Sequence, residues 1–340
     1  MCFYQQTQAM RLKKISVSIL ICSLLLSCKK NISDTKPSNV DFRQEMRNFV
    51  QEISAFSRSQ KPGFIIIPQN GQELLTGNGD AAGIPQTTYI NSINGVGREE
   101  LFYGYDNNDD TPTPAVESGN WLALCSMAGN NGLKVLTTDY CFTASKVQDS
   151  YTKNFQKGFI SFAAAHRELD NIPAGIPANQ HAGNIMLLGD ARNFLYLINT
   201  QAFSTKQAFI NAVAATNYDV IIMDAFFQEG DNNSIWTNQE INQLKTKANG
   251  GKRLAIAYMS IGEAEDYRWY WQSDWKRHKP AWLGNLNPQW SGNYEVRYWM
   301  PDWKKYITGN TSSYTQQIID AGFEGVYLDI IDSFEYWESL

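Results

Sequence analysis

Eight short apolar runs, rich in β-branched and aromatic residues, recur along this chain and limit its fold more than any other feature. They are Phe64–Ile67, Leu101–Tyr103, Lys134–Thr138, Phe159–Ala163, Phe194–Ile198, Val220–Met223, Leu254–Met259 and Val326–Ile330. Continuous runs of this kind suit a parallel sheet buried on both faces. Helical stretches lie between several of them. Ser145–Lys157 stops at Gly158, and Ser204–Ala215 opens on a serine. Thr237-x-x-Glu240 is a capping-box pattern opening a helix that runs to Gly250-Gly251, and Ser313–Ala321 ends at Gly322. Strands alternating with helices over about 300 residues predict one (β/α)₈ barrel of the TIM type. With 43% hydrophobic residues, the 340-residue chain can fill such a core.

The two ends of the pattern are unpaired. Asp41–Arg58 places Phe42, Met46, Phe49, Val50, Ile53 and Phe56 on one helix face, with no strand before it. Val326–Ile330 is a strand with almost no chain after it. The first helix is therefore expected to cover the last strand, bringing the ends together. Asn171–Arg192, with Pro173, Gly175, Pro177 and Gly183, reads as a connector.

The N-terminus reads as a targeting segment. Arg11, Lys13 and Lys14 precede the apolar Ile15–Leu26, which is too short for a comfortable membrane span. Leu25-Leu26-Ser27-Cys28 resembles a bacterial lipobox with Cys28 as the lipidated residue. The expected organisation is a signal peptide over 1–28, a tether over 29–40 and the barrel over 41–340. Lipid on Cys28 implies a bacterial cell-envelope protein, at the outer membrane or cell surface. Cys125 and Cys141 remain as possible partners for each other. No CxxC or HExxH pattern occurs and the three histidines are scattered, so neither metal nor cofactor is expected. The net charge of −5 and the lack of a basic stripe argue against nucleic-acid binding. A monomer is expected.

The chemistry concentrates in Leu254–Trp303, where seven of the ten tryptophans fall between Trp269 and Trp303. Glu263, Glu265 and Asp266 follow directly on the apolar run Leu254–Ile261. Carboxylates supply acid, base or nucleophile in glycoside cleavage, and aromatic faces stack on sugar rings. In a barrel the site lies at the C-terminal strand ends. The candidate polar residues there are Gln69, Asn70, Glu99 (just before its strand's apolar run), Asp139, Asn199, Asp224, Glu263, Asp329 and Asp332. One acidic residue after a strand is as often a helix cap as a catalyst; several converging on one mouth are harder to assign to capping. No Gly-x-Ser-x-Gly elbow occurs.

The blocks AYMSIGEAEDYRWYW, GNYEVRYWMPDW and GFEGVYLDIIDSFEYW resemble glycoside hydrolase family 114, including its endo-α-1,4-polygalactosaminidase-like extracellular proteins. KPGFIIIPQNGQELL, GVGREELFYGY and LTTDYC resemble further motifs of that branch. The family order of these blocks is reversed here, so the chain resembles a circular permutant joined through 171–192; barrel termini lie close enough to tolerate this. The resemblance implies an acid/base pair formed by Asp329 in YLDIID and Glu99 in GREELFY, with Glu100 and Asp332 as neighbouring alternatives. It implies a polysaccharide substrate, an α-1,4-linked galactosamine-containing polymer that is cationic where deacetylated. Asp224, Glu263 and Asp266 would favour a cationic chain. Arg268, Tyr258, Gln69, Asn70, Asp139, Asp332, Trp269 and Trp299 complete the expected binding surface, with Trp271 and Trp290 as further stacking candidates. The rival reading is a carbohydrate-binding lipoprotein on the same barrel without turnover; a purely structural envelope protein is a third. Whether Glu99 and Asp329 share one cleft separates them.

Overall fold

In the computed structural model, residues 34–229 and 232–340 are described. The signal segment and Cys28 lie outside them. Eight parallel strands carry the fold. They are β1 (Ile65–Pro68), β2 (Gly95–Glu99), β3 (Lys134–Tyr140), β4 (Ile160–Ala164), β5 (Phe194–Tyr196), β6 (Val220–Asp224), β7 (Leu254–Ser260) and β8 (Gly325–Asp329). Seven fall on expected runs. The eighth, β2, lies just upstream of Leu101–Tyr103, because GVGRE has too few apolar residues to signal a strand.

The strands form a five-stranded sheet in the order β1-β8-β7-β6-β5 and a three-stranded sheet in the order β2-β3-β4. A parallel bridge between Gln69 and Gly97 links β1 to β2, supported by the Asn94 amide donating to the Ile66 carbonyl at 2.8 Å. Neighbours in space are thus consecutive in the chain, apart from β8 and β1, which pair Gly325 with Ile65. Between β4 and β5 the Phe162 and Phe194 rings pack at 5.9 Å. The Ile198 and Asn199 amides donate to the Leu169 carbonyl just beyond these strands, at 3.1 and 3.2 Å. No ladder joins β4 to β5 among the described residues. The architecture is therefore a mixed α/β fold on parallel sheets, with hydrogen bonding that stops short of a complete ring.

Local sequence explains the covering helices. In α1 (Phe42–Gln60), Asp41 caps the first turn by accepting from the Gln44 amide at 2.9 Å. Its apolar stripe buries Phe42, Met46, Phe49, Val50 and Ile53, each worth roughly 1.5–3 kcal/mol when fully buried. Thr237 and Glu240 form the expected capping box, but that helix ends at Leu244 rather than at Gly250. Ser313 caps Tyr314–Ala321, and Gly322 closes it at φ 95°. Sequence reading overlooked four helices: Thr87–Ser92, Ala115–Asn130, Pro301–Ile307 and Ser333–Ser339. The last follows β8 and packs on α1, with Arg43 Nε donating to Glu338 at 2.9 Å and Phe42 stacked on Trp337 at 6.5 Å. The first helix therefore meets the end of the chain through this added helix.

Two insertions rise at the strand ends. A hairpin, Phe226–Glu229 with Asn232–Ile235, follows β6. An antiparallel ribbon of Glu263–Glu265, Asn293–Val296 and Leu283–Leu286 follows β7. Most of the tryptophan segment packs beneath this ribbon. Trp282 lies 4.9 Å from both Trp275 and Trp303, and Trp303 Nε1 donates to the Ile261 carbonyl.

Candidate active site

A cavity of about 710 Å³ opens where β1, β2, β5, β6, β7 and β8 run out. Glu99 and Asp329 both line it, as do Gln69, Asn70, Asp224, Tyr258, Arg268 and Asp332. Glu99 is gripped from two sides. Asn70 donates to its Oε2 and accepts from its amide, both at 3.2 Å, while the Tyr140 hydroxyl donates to Oε1. Asp329 accepts from the Tyr258 hydroxyl at 2.5 Å. Burial, then the nearby charge of Glu99, pushes the Asp329 carboxyl up to about 8. Asp332 rises to about 7, mainly through burial and then through Glu335.

The backbone here is strained. Asn70, Glu100 and Ile330 adopt φ of 60°, 57° and 57°, and all three lie at the ends of β1, β2 and β8. A β-branched residue in this region is an outlier, costing on the order of 1–3 kcal/mol. The turn lets Glu99 and Asp329 end their strands with side chains in the cavity. A Cβ on Gly262 would lie 2.1 Å from the Ile330 carbonyl oxygen, so glycine is required beside that turn.

The buried Arg268 and the half-buried Arg167 both brace the cavity wall. Arg268 donates to Asp224 Oδ1 at 2.8 Å and to Glu265 Oε2 at 2.6 Å, and Glu265 also accepts from the Tyr267 hydroxyl. Burial still raises the Asp224 carboxyl against the pull of Arg268. Arg167 donates to Glu100 Oε1 at 2.7 Å and to Asp109 at 2.9 Å, and lies 4.0 Å over the Tyr140 ring. The Glu100 carboxylate is therefore engaged in an ion pair, whereas Glu99 accepts only from neutral groups. Such a constellation can hold one carboxyl protonated beside an ionised one.

Several expected binding residues lie outside the cavity. Asp139 points to the other side of β3, where Ser150 and Asn154 donate to it at 2.6 and 3.2 Å and the Phe102 amide at 2.8 Å. It is a buried structural acid. Glu263 is also buried, accepting from Asn287 and Asn293 at 2.7 and 3.1 Å within the ribbon. Asp266 pairs with Lys276 at 2.7 Å. Trp299 packs between Phe42 and Trp337, with centroids 5.2 and 5.0 Å away. Trp271 packs on Tyr294 at 4.9 Å. Trp269 is exposed but stands beyond the cavity wall; of the four tryptophans only Trp290 lines it. Cys125 and Cys141 are both buried and free.

Arg98, Tyr140, Arg167 and Tyr196 line the cavity without having been singled out from sequence. Tyr140 had a signal: it follows Asp139 in the TTDYC block, and strand alternation sends one of the two inward. Tyr196 donates to Gln69 Oε1 at 2.7 Å, which holds Gln69 in the floor.

Residues 197–339 match the family model of glycoside-hydrolase family GH114. That interval carries Asp224, Tyr258, Arg268, Asp329 and Asp332, while Asn70 and Glu99 precede it. The chain is 46% identical over 136 residues to an uncharacterized protein of Methanocaldococcus jannaschii, covering 40% of this chain and 37% of that one. It is 39% identical over 125 residues to one of Thermotoga maritima, covering 37% and 36%. A Deinococcus radiodurans protein is 38% identical over 129 residues, covering 38% of each chain. The chain thus spans less than two fifths of the length of each of these relatives. The match begins at residue 197 and does not reach the earlier blocks, so the permuted order is not borne out.

Proposed function

We propose, from the match of residues 197–339 to the model of glycoside-hydrolase family GH114, that the chain is an endo-acting glycoside hydrolase of α-1,4-linked galactosamine-containing polysaccharide. Asp329 is the acid that protonates the leaving oxygen. Glu99 is the partner carboxyl that attacks the sugar or activates water. The observation that carries this reading is the pairing of unlike carboxyls in one cavity. Asp329 is held up to about 8 by burial and by Glu99, so it carries a proton at neutral pH. Tyr258 and Tyr140 orient the two groups through their hydroxyls. Glu99, Asp224 and Asp332 line the mouth, and carboxyl groups there suit a partly deacetylated, cationic chain. The parallel sheets are taken to complete a (β/α)₈ barrel over residues 41–340, with lipid on Cys28 and 29–40 as tether.

The test is incubation with partially deacetylated poly-α-1,4-galactosamine and mass analysis of the products. Internal cleavage by the wild-type chain, lost in Glu99→Gln and Asp329→Asn, is expected. Binding of the polymer without cleavage moves the protein to the non-catalytic reading. Full activity in both variants refutes the assignment of the pair.

A further inference from the structure

Three aromatic side chains on the ribbon side of the cavity remain in water. Tyr267 (49% exposed) and Trp290 (55%) line the cavity, and Trp269 (42%) stands outside it. The rest of the tryptophan segment does not share this exposure: Trp275, Trp282 and Trp303 are buried. Exposed rings grouped beside a cleft and fixed by buried supports mark a binding surface, where a single exposed ring would not. Trp269 is held in this way. It meets the buried Tyr270 edge-on at 5.6 Å, and Tyr270 in turn packs edge-on against the buried Trp303 at 5.5 Å. Trp290 is fixed too. Its loop closes on Gly292 at φ 90°, where a Cβ would lie 2.9 Å from Asp266 and 3.6 Å from the Tyr267 ring. Arg268, between Tyr267 and Trp269 in the chain, turns inward to Asp224. The same short turn thus supplies the cavity wall and the ring beyond it.

We infer that Trp269 is a sugar-binding platform outside the cavity, taking a ring of the polysaccharide where the chain leaves the site over the ribbon. This deepens the proposed glycan reading and rests on it. Trp269 follows the wall residues Tyr267 and Arg268 directly in the chain, and this adjacency to the cavity is what selects a glycan strand as occupant. Such a platform serves a polymer cut internally, because only a long chain reaches past the cavity on that side.

The experiment compares binding of partially deacetylated poly-α-1,4-galactosamine with that of a disaccharide of the same linkage, by titration calorimetry on the full chain carrying Glu99→Gln. Trp269→Ala is expected to weaken polymer binding about three- to tenfold, the range of a single aromatic contact, and to leave the disaccharide constant within twofold. Trp269→Phe should restore most of the polymer affinity. Equal losses for both ligands, or no loss for the polymer, overturn the inference while leaving the glycan reading intact. So does a Trp269→Ala protein that keeps polymer affinity but loses self-association in ultracentrifugation, which reassigns the ring to a contact between copies. Failure of every glycan to bind the parent protein refutes the underlying reading instead, and the platform with it.

Discussion

Asp329 and Asp139 are both acids at strand ends, but only Asp329 lines the cavity. Asp139 is surrounded by donors from Ser150, Asn154 and two backbone amides. Asp329 has one tyrosine and an opposing carboxylate, and is held up to about 8. Its folded value lies above its unfolded one. The stability it contributes is complete below the ordinary carboxylate range and is lost as pH rises through about 8. Asp329→Asn should therefore melt progressively above the wild type as pH is raised from 4 to 9, in paired thermal scans. The same change should cut turnover at least about a hundredfold, as should Glu99→Gln, since positioned proton transfer is typically worth 10²–10⁴. A pH-independent difference in melting would show that Asp329 is ionised throughout. Asp329, Asp224 and Arg268 could be read from sequence because they end strands or follow them, whereas Glu99 was legible through its GREELFY block, the strand it ends having too few apolar residues to show. Asp139 and Tyr140 could not be told apart, because the choice turns on one step of strand register. Arg98 and Arg167 were illegible for another reason. An arginine's place in a site depends on what it stacks against, and Trp121 and Tyr140 meet them only in the folded chain.

At the level of elements, strand positions were legible where apolar runs were continuous and failed at β2. Its glycines are there for space. A Cβ on Gly97 would lie 2.0 Å from the Tyr327 hydroxyl oxygen. Gly97→Ala should destabilise by about 1–3 kcal/mol, as overpacking does. Tyr327→Phe, which removes that oxygen, should recover part of the loss in a double-mutant cycle read by urea unfolding. The connector 171–192 was legible as irregular chain, but not its anchor. Lys247, fully buried, donates to Asp219 at 2.9 Å and to the carbonyls of His181 and Gly183 at 3.1 and 2.7 Å. His181 Nε2 lies 2.9 Å from the other Asp219 oxygen. Lys247→Met leaves Asp219 without its ammonium partner and should cost roughly 3–5 kcal/mol. Adding Asp219→Asn should return some of it. A change under 1 kcal/mol would mean that water reaches the pair.

For the whole molecule, the proposed anchor is tested by Cys28→Ser, which should move the protein from the membrane fraction to the soluble one. Each buried methylene of an acyl chain is worth about 0.8 kcal/mol. Retention after a high-salt wash would leave the anchor elsewhere. The pairing of β8 with both β1 and β7 has a kinetic side. Gly325 faces Ile65 in one neighbour and Ile256 in the other. A growing chain can assemble β1-β2-β3-β4 and β5-β6-β7 as they emerge, but the other edge of β1 must wait for residues made some 260 positions later (325 less 65). Contacts this distant in sequence slow folding. Until β8 arrives, β1 and β7 each present an unpaired apolar edge, which is where a folding chain is most open to association. Chains truncated before residue 325 should therefore collect in aggregates, while a chain that includes β8 refolds with its slowest phase set by the docking of β8 between β1 and β7.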